Sequence, residues 1–105
     1  MRSQHVVVSV TTSDQVLLPA NPNRVTLMAA PMQGIAASQT MLIAFGNNAL
    51  TNGFPVSGLN TNSGSVVVPF PFTKALLGDT ITQPVHMALS GGASPQPASI
   101  IEGFV

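Results

Sequence analysis

Apolar residues recur at every second position in a series of short runs along this chain. In "HVVVSVTT" (5–12) Val6, Val8 and Val10 share one face, with His5, Val7 and Ser9 opposite. In "QVLLP" Val16 and Leu18 alternate with Gln15 and Leu17. In "RVTLMAA" Val25, Leu27 and Ala29 alternate with Arg24, Thr26 and Met28. "TMLIAFG" sets Met41, Ile43 and Phe45 against Thr40, Leu42 and Ala44, and "PVHMALS" sets Val85, Met87 and Leu89 against His86 and Ala88. "GSVVVP" and "SIIEGF" continue the theme. A period of two is the side-chain period of a strand, and β-branched runs of four to eight residues predict half-buried strands.

Glycine and proline fall mostly between these runs. "TTSD" (11–14) predicts a tight connection. "FGNNALTNGFPVSGLNTNSG" (45–64) predicts a long polar loop, with room for a short irregular strand. Helical spacing occurs only in "PFPFTKALLGD" (69–79), and predicts one turn ended by Gly78. The expectation is one all-β domain over residues 1–105. It would be a small sandwich of about seven antiparallel strands, jelly-roll-like or immunoglobulin-like, with 1–5 and 103–105 as extended arms.

Charge changes this picture from fold to context. Lys+Arg is 3 and Asp+Glu is 3, so 6% of residues are charged, against about 25% in ordinary soluble domains. A free monomer usually keeps a mixed, charged surface that resists association. So sparse a surface predicts that neighbouring subunits cover much of it. Arg2, Arg24 and Lys74 are too few and too scattered for the cationic stripe that nucleic acid demands. The longest apolar run, about six residues around "LMAAPM", spans no membrane. The N-terminus lacks the apolar stretch of a signal peptide, which predicts synthesis in the cytoplasm and export only within a particle.

Candidate chemistry is thin. Cysteine is absent. His5, His86, Asp14 and Asp79, with abundant serine, supply the letters of a Ser–His–Asp arrangement, but no G-x-S-x-G elbow occurs. Neither histidine stands in a metal-ligand spacing. His86, mid-strand and opposite the core positions, reads as a solvent-facing or interface histidine. The glycine-rich loops lack a phosphate-binding pattern. No catalytic residue, metal or cofactor is therefore expected. Asn21-Pro22-Asn23 reads as a structural turn, because proline pre-sets one corner position and asparagine tolerates the next. Arg24, which follows it, reads as an exposed edge arginine bonding the turn or pairing with Glu102 across strands. Phe70 and Phe72, between prolines, read either as a core-capping edge segment or as a segment docking on a neighbour. Val6, Val8, Phe54, Phe70, Phe72 and Phe104 are the candidate subunit interface.

The order "NPNR" with its apolar strand (21–30), "AFGNN" (44–48), a Gly-rich loop, "VVVPFPF", "GDTITQPVHMAL" (78–89) and terminal "SIIEGF" (99–104) resembles small tailed-bacteriophage virion proteins. These are the capsid decoration (cement) or fibre-base β-sandwich group, and the similarity covers most of 16–104. The resemblance implies an oligomerising sandwich, with a trimer favoured, placed on a capsid or tail surface. As a decoration protein it would stabilise the shell between subunits of the major capsid protein. As a tail or fibre module it would bind a host receptor through the 46–64 loop.

Overall fold

The computed structural model describes residues 1–32, 39–56, 70–91 and 95–105. Strand β1 (Arg2–Val10) pairs with β8 (Gln96–Phe104), and β2 (Gln15–Leu18) with β7 (Val85–Ser90). Strand β3 (Arg24–Pro31) pairs with β6 (Phe70–Thr73), and β4 (Thr40–Phe45) with β5 (Phe54–Pro55). First thus pairs with last, second with second-last, and so inward: one long antiparallel hairpin. Lateral pairing of β8 with β3 and of β7 with β4 rolls that hairpin into two four-stranded sheets, ordered β1-β8-β3-β6 and β2-β7-β4-β5. This is jelly-roll connectivity. An immunoglobulin sandwich keeps its first two strands side by side in one sheet; here β1 and β2 lie in opposite sheets.

The core lies between the sheets. Val10, Leu27, Ala29, Ala98, Ile100 and Phe72 face Leu18, Met41, Ile43, Phe45, Val85, Met87 and Leu89. The Phe45 and Phe72 rings meet edge to face, centroids 5.2 Å apart, the arrangement that ring quadrupoles prefer. Each such side chain removed from water contributes about 1.5–3 kcal/mol.

Two β-bulges shift the period-two pattern. Register breaks between Val16 and Leu18 in β2 and between Arg24 and Thr26 in β3. A bulge adds one unpaired residue and so reverses which face the next side chain takes. Val16, expected inside, is 56% exposed, while Leu17 packs against the core. Arg24, expected on the exposed edge, is wholly buried.

The polar stretch after β4 holds the short strand its sequence has room for, β5, and a helical turn that its sequence does not predict. Helix α1 (Ala49–Asn52) is capped by the Asn48 side chain, and β5 follows it directly. Helix α2 (Lys74–Leu77) is the expected single turn. It ends at Gly78, whose φ of 62° favours glycine, and runs on as a 3-10 turn to Thr82. Residues 2–5, expected as an arm, are instead paired with 101–104.

The two outer faces differ. On the β2-β7-β4-β5 sheet, Ala44 and Ala88 are small enough for α1 to lie over them, and Ala49 seals the contact with Leu42 alongside. Among the described residues nothing lies over the outer face of the β1-β8-β3-β6 sheet.

Candidate assembly surface

The Asn21–Arg24 corner is built as the sequence predicts. The Asn21 side chain accepts from the Asn23 amide at 3.0 Å, and the Arg24 amide donates to the Asn21 carbonyl at 3.0 Å, closing a turn around Pro22 and Asn23. The bulge then sends the Arg24 side chain inward. Its Nε donates to Glu102 Oε2 at 2.7 Å, Nη1 to the Ile81 and Gln83 carbonyls at 2.9 and 2.8 Å, and Nη2 to the Pro19 carbonyl at 2.8 Å. Asn21 Nδ2 adds a bond to the same carboxylate oxygen at 3.1 Å. The pairing of Arg24 with Glu102 across strands holds; the exposed setting does not. This is a structural clamp tying the corner, β8 and the 3-10 turn together. The charges satisfy each other and offer no anion site.

His86 lies on the outer face of β7, away from the core as expected, but half-buried. Its Nδ1 bonds Asp14 Oδ2 at 2.9 Å, and Asp14 Oδ1 accepts from the Ala49 amide at the start of α1 at 2.7 Å. Burial pushes the Asp14 carboxyl up, but the Ala49 amide and His86 outweigh it, and its pKa lies below the ordinary 3.8. The pair pins α1 to its sheet. No hydroxyl bonds His86 among the described residues. Nor does any group of three His, Asp or Glu side chains there stand close enough to hold a metal ion. No described helix is long and apolar enough to cross a membrane.

The six candidate interface residues separate into different environments. Phe72 is buried against Phe45. Val6 and Val8 are half-buried on the core side of β1. Phe104 is half-buried at the end of β8, whereas Phe54 is 54% exposed, its ring 6.4 Å from that of Phe72. The Phe70 side chain and residues 57–69 lie outside the described residues, and with them the 57–64 part of the 46–64 loop. Of the two readings of the proline-flanked segment, the core-capping edge strand is correct for Phe72. Proline is tolerated in β6 because that strand is an edge.

The exposed apolar surface lies on the residues that alternate with the core. On the outer face of the β1-β8-β3-β6 sheet, Val7 is 58%, Met28 39% and Ile101 42% exposed. Met28 stands opposite Ile101, and Ala30 opposite Ser99. These four line a shallow groove of about 150 Å³. Their positions follow from the strand period, since Met28 and Ile101 alternate with the core residues Leu27, Ala29 and Ile100.

No protein-family model matches this sequence, and no curated protein matches it significantly. Among solved structures it is similar to a chain of Bacillus endospore appendages, which form disulfide-linked pili. That likeness has 8% identity and a TM-score of 0.47, over 99% of this chain and 86% of that one. It is also similar to chains of infectious bursal disease virus. With the Gx strain the identity is 11% and the TM-score 0.43, over 98% and 32% of the two chains. With the VP2 subviral particle the values are 11% and 0.43, over 98% and 33%. The present chain spans about a third of the length of the viral ones. At these TM-scores the functional reading rests on the chain's own surface.

Proposed function

We propose that this protein is a structural subunit of a virus particle, a decoration or cement protein of a capsid shell. The observation that carries the reading is the outer face around Met28 and Ile101, which no described residue covers, on a chain almost without surface charge. Six residues are charged, and Arg24 and Glu102 are buried against each other. That leaves Arg2, Lys74 and Asp79 exposed and Asp14 half-buried. An apolar patch with so little charge to keep copies apart favours lasting contact with other protein. Seated between major capsid subunits, the sandwich would stabilise the shell through many weak contacts repeated around symmetry axes.

Mass spectrometry of purified particles tests this. The expected result is stoichiometric recovery of the chain with the major capsid protein. Its absence from particles of the same source overturns the reading. A second placement, on a tail or fibre and contacting a host receptor, is favoured by the exposed Leu50 on α1 and the exposed Phe54 just after it. Recovery with tail components and binding of the isolated protein to a glycan array would select it.

A further inference from the structure

Among the described residues each sheet of the sandwich has two edge strands, and three of the four edges are blunted. Strand β2 has four residues, carries a bulge and is followed by Pro19. Strand β5 has two residues, one of them Pro55. Strand β6 has four, with Pro71 in the middle. Short length, bulges and prolines are the devices that stop an edge from pairing with another chain.

Strand β1 has none of them. It runs nine residues, "RSQHVVVSV", regularly paired with β8 along its whole length, without a proline and with Arg2 as its one charge. Among the described residues no backbone group outside β8 bonds to Arg2–Val10. In an antiparallel ladder alternate residues direct their N–H and C=O to opposite sides. Half of the backbone groups of β1 therefore point along an open edge.

We propose that β1 pairs with β1 of a second copy of this chain, antiparallel about a two-fold axis, joining the two β1-β8-β3-β6 sheets into one. This rests on the reading of the protein as an assembly subunit and names the contact by which copies associate. A second copy is the fitting occupant for two reasons. An isologous contact needs no surface other than β1 itself. Antiparallel pairing also sends the two Arg2 side chains to opposite ends of the contact, so like charges never face each other. The pairing covers the half-buried Val6 and Val8 and makes the apolar outer faces continuous through Val7. Nine residues span about 30 Å, most of the longest extent of the molecule, 39 Å. A strip of that length and about 10 Å deep, the thickness of one sheet layer, covers on the order of 300 Å² per copy, the size of a weak contact to which the backbone hydrogen bonds add.

The test combines sedimentation equilibrium with amide hydrogen exchange on the full chain and on Val7→Pro and Val8→Pro. Neighbouring residues direct their N–H groups oppositely, so one proline breaks the β8 ladder and the other meets only the open edge. In the wild type, alternate amides of Arg2–Val10 should gain protection as concentration rises. The edge-facing proline variant should stay folded, with its dimer dissociation constant raised roughly 10- to 100-fold, because symmetry removes two hydrogen bonds at once. A wild-type monomer at millimolar concentration, or a dimer that both prolines leave intact, overturns the proposal. A monomer that still incorporates into particles overturns the pairing alone and leaves the structural role standing.

Discussion

Arg24 and Glu102, 78 residues apart in sequence, meet at 2.7 Å inside the end of the sandwich, and the arginine side chain is wholly buried. The pair joins β3 to β8, while the rest of the guanidinium holds the carbonyls of Pro19, Ile81 and Gln83. The two partners are therefore unequal. Arg24→Met strips four acceptors and leaves Glu102 buried with Asn21 alone, and should cost about 3–5 kcal/mol. Glu102→Gln keeps an acceptor in place and should cost about 1–2 kcal/mol. Urea unfolding of the two variants measures the difference; equal losses would show that the carbonyl contacts contribute nothing.

Asp14 gives the protein an acid-sensitive strap. Its carboxyl titrates below its ordinary value of 3.8, so its stabilisation is fully present above that pH and is lost as pH falls through the folded-state value. The midpoint urea concentration of the wild type should therefore drop on acidification below about pH 4 more steeply than that of Asp14→Asn. The variant should also exchange the Ala49 amide faster at neutral pH. Parallel pH profiles for the two proteins would contradict this role.

Gly103 is required by its neighbour rather than by its backbone. A Cβ there would stand 2.2 Å from Thr26 Oγ1 in the adjacent strand β3. Gly103→Ala should cost about 1–3 kcal/mol by overpacking. Thr26→Ala, which removes that oxygen, should restore much of the loss, so the two changes are non-additive. Thermal melts of the singles and the double check it, and simple additivity would refute the close approach.

Met28 and Ile101 should be dispensable for folding. Both point away from the core, so Met28→Lys with Ile101→Glu, an opposite-charge pair across the two strands, should shift stability by only about 0.5 kcal/mol per site, while breaking up the apolar patch. Calorimetry and light scattering of the double variant give both numbers. A loss of several kcal/mol would mean that this face is part of the fold rather than a docking surface.

Much of this was legible in the sequence, because period-two patterning survives wherever a strand is regular. Met41, Ile43 and Phe45, and Val85, Met87 and Leu89, take the core positions that alternation assigns. The Pro22–Asn23 corner and the end of α2 at Gly78 follow from local turn chemistry. Arg24 and Val16 were misplaced for one reason: each sits at a bulge, and a bulge is fixed by pairing with a distant strand, which local pattern does not encode. Helix α1 was missed because four residues carry too little periodicity, although Asn48 is a good N-cap. The exposed face around Met28 and Ile101 went unread because exposure depends on what the remainder of the chain covers.

The most direct test of the structural role is the heat resistance of purified particles at low ionic strength. Shells carrying the wild-type protein should withstand a higher temperature than shells lacking it. Shells offered the Met28→Lys/Ile101→Glu variant should behave like those lacking it. Equal resistance of all three would contradict the account.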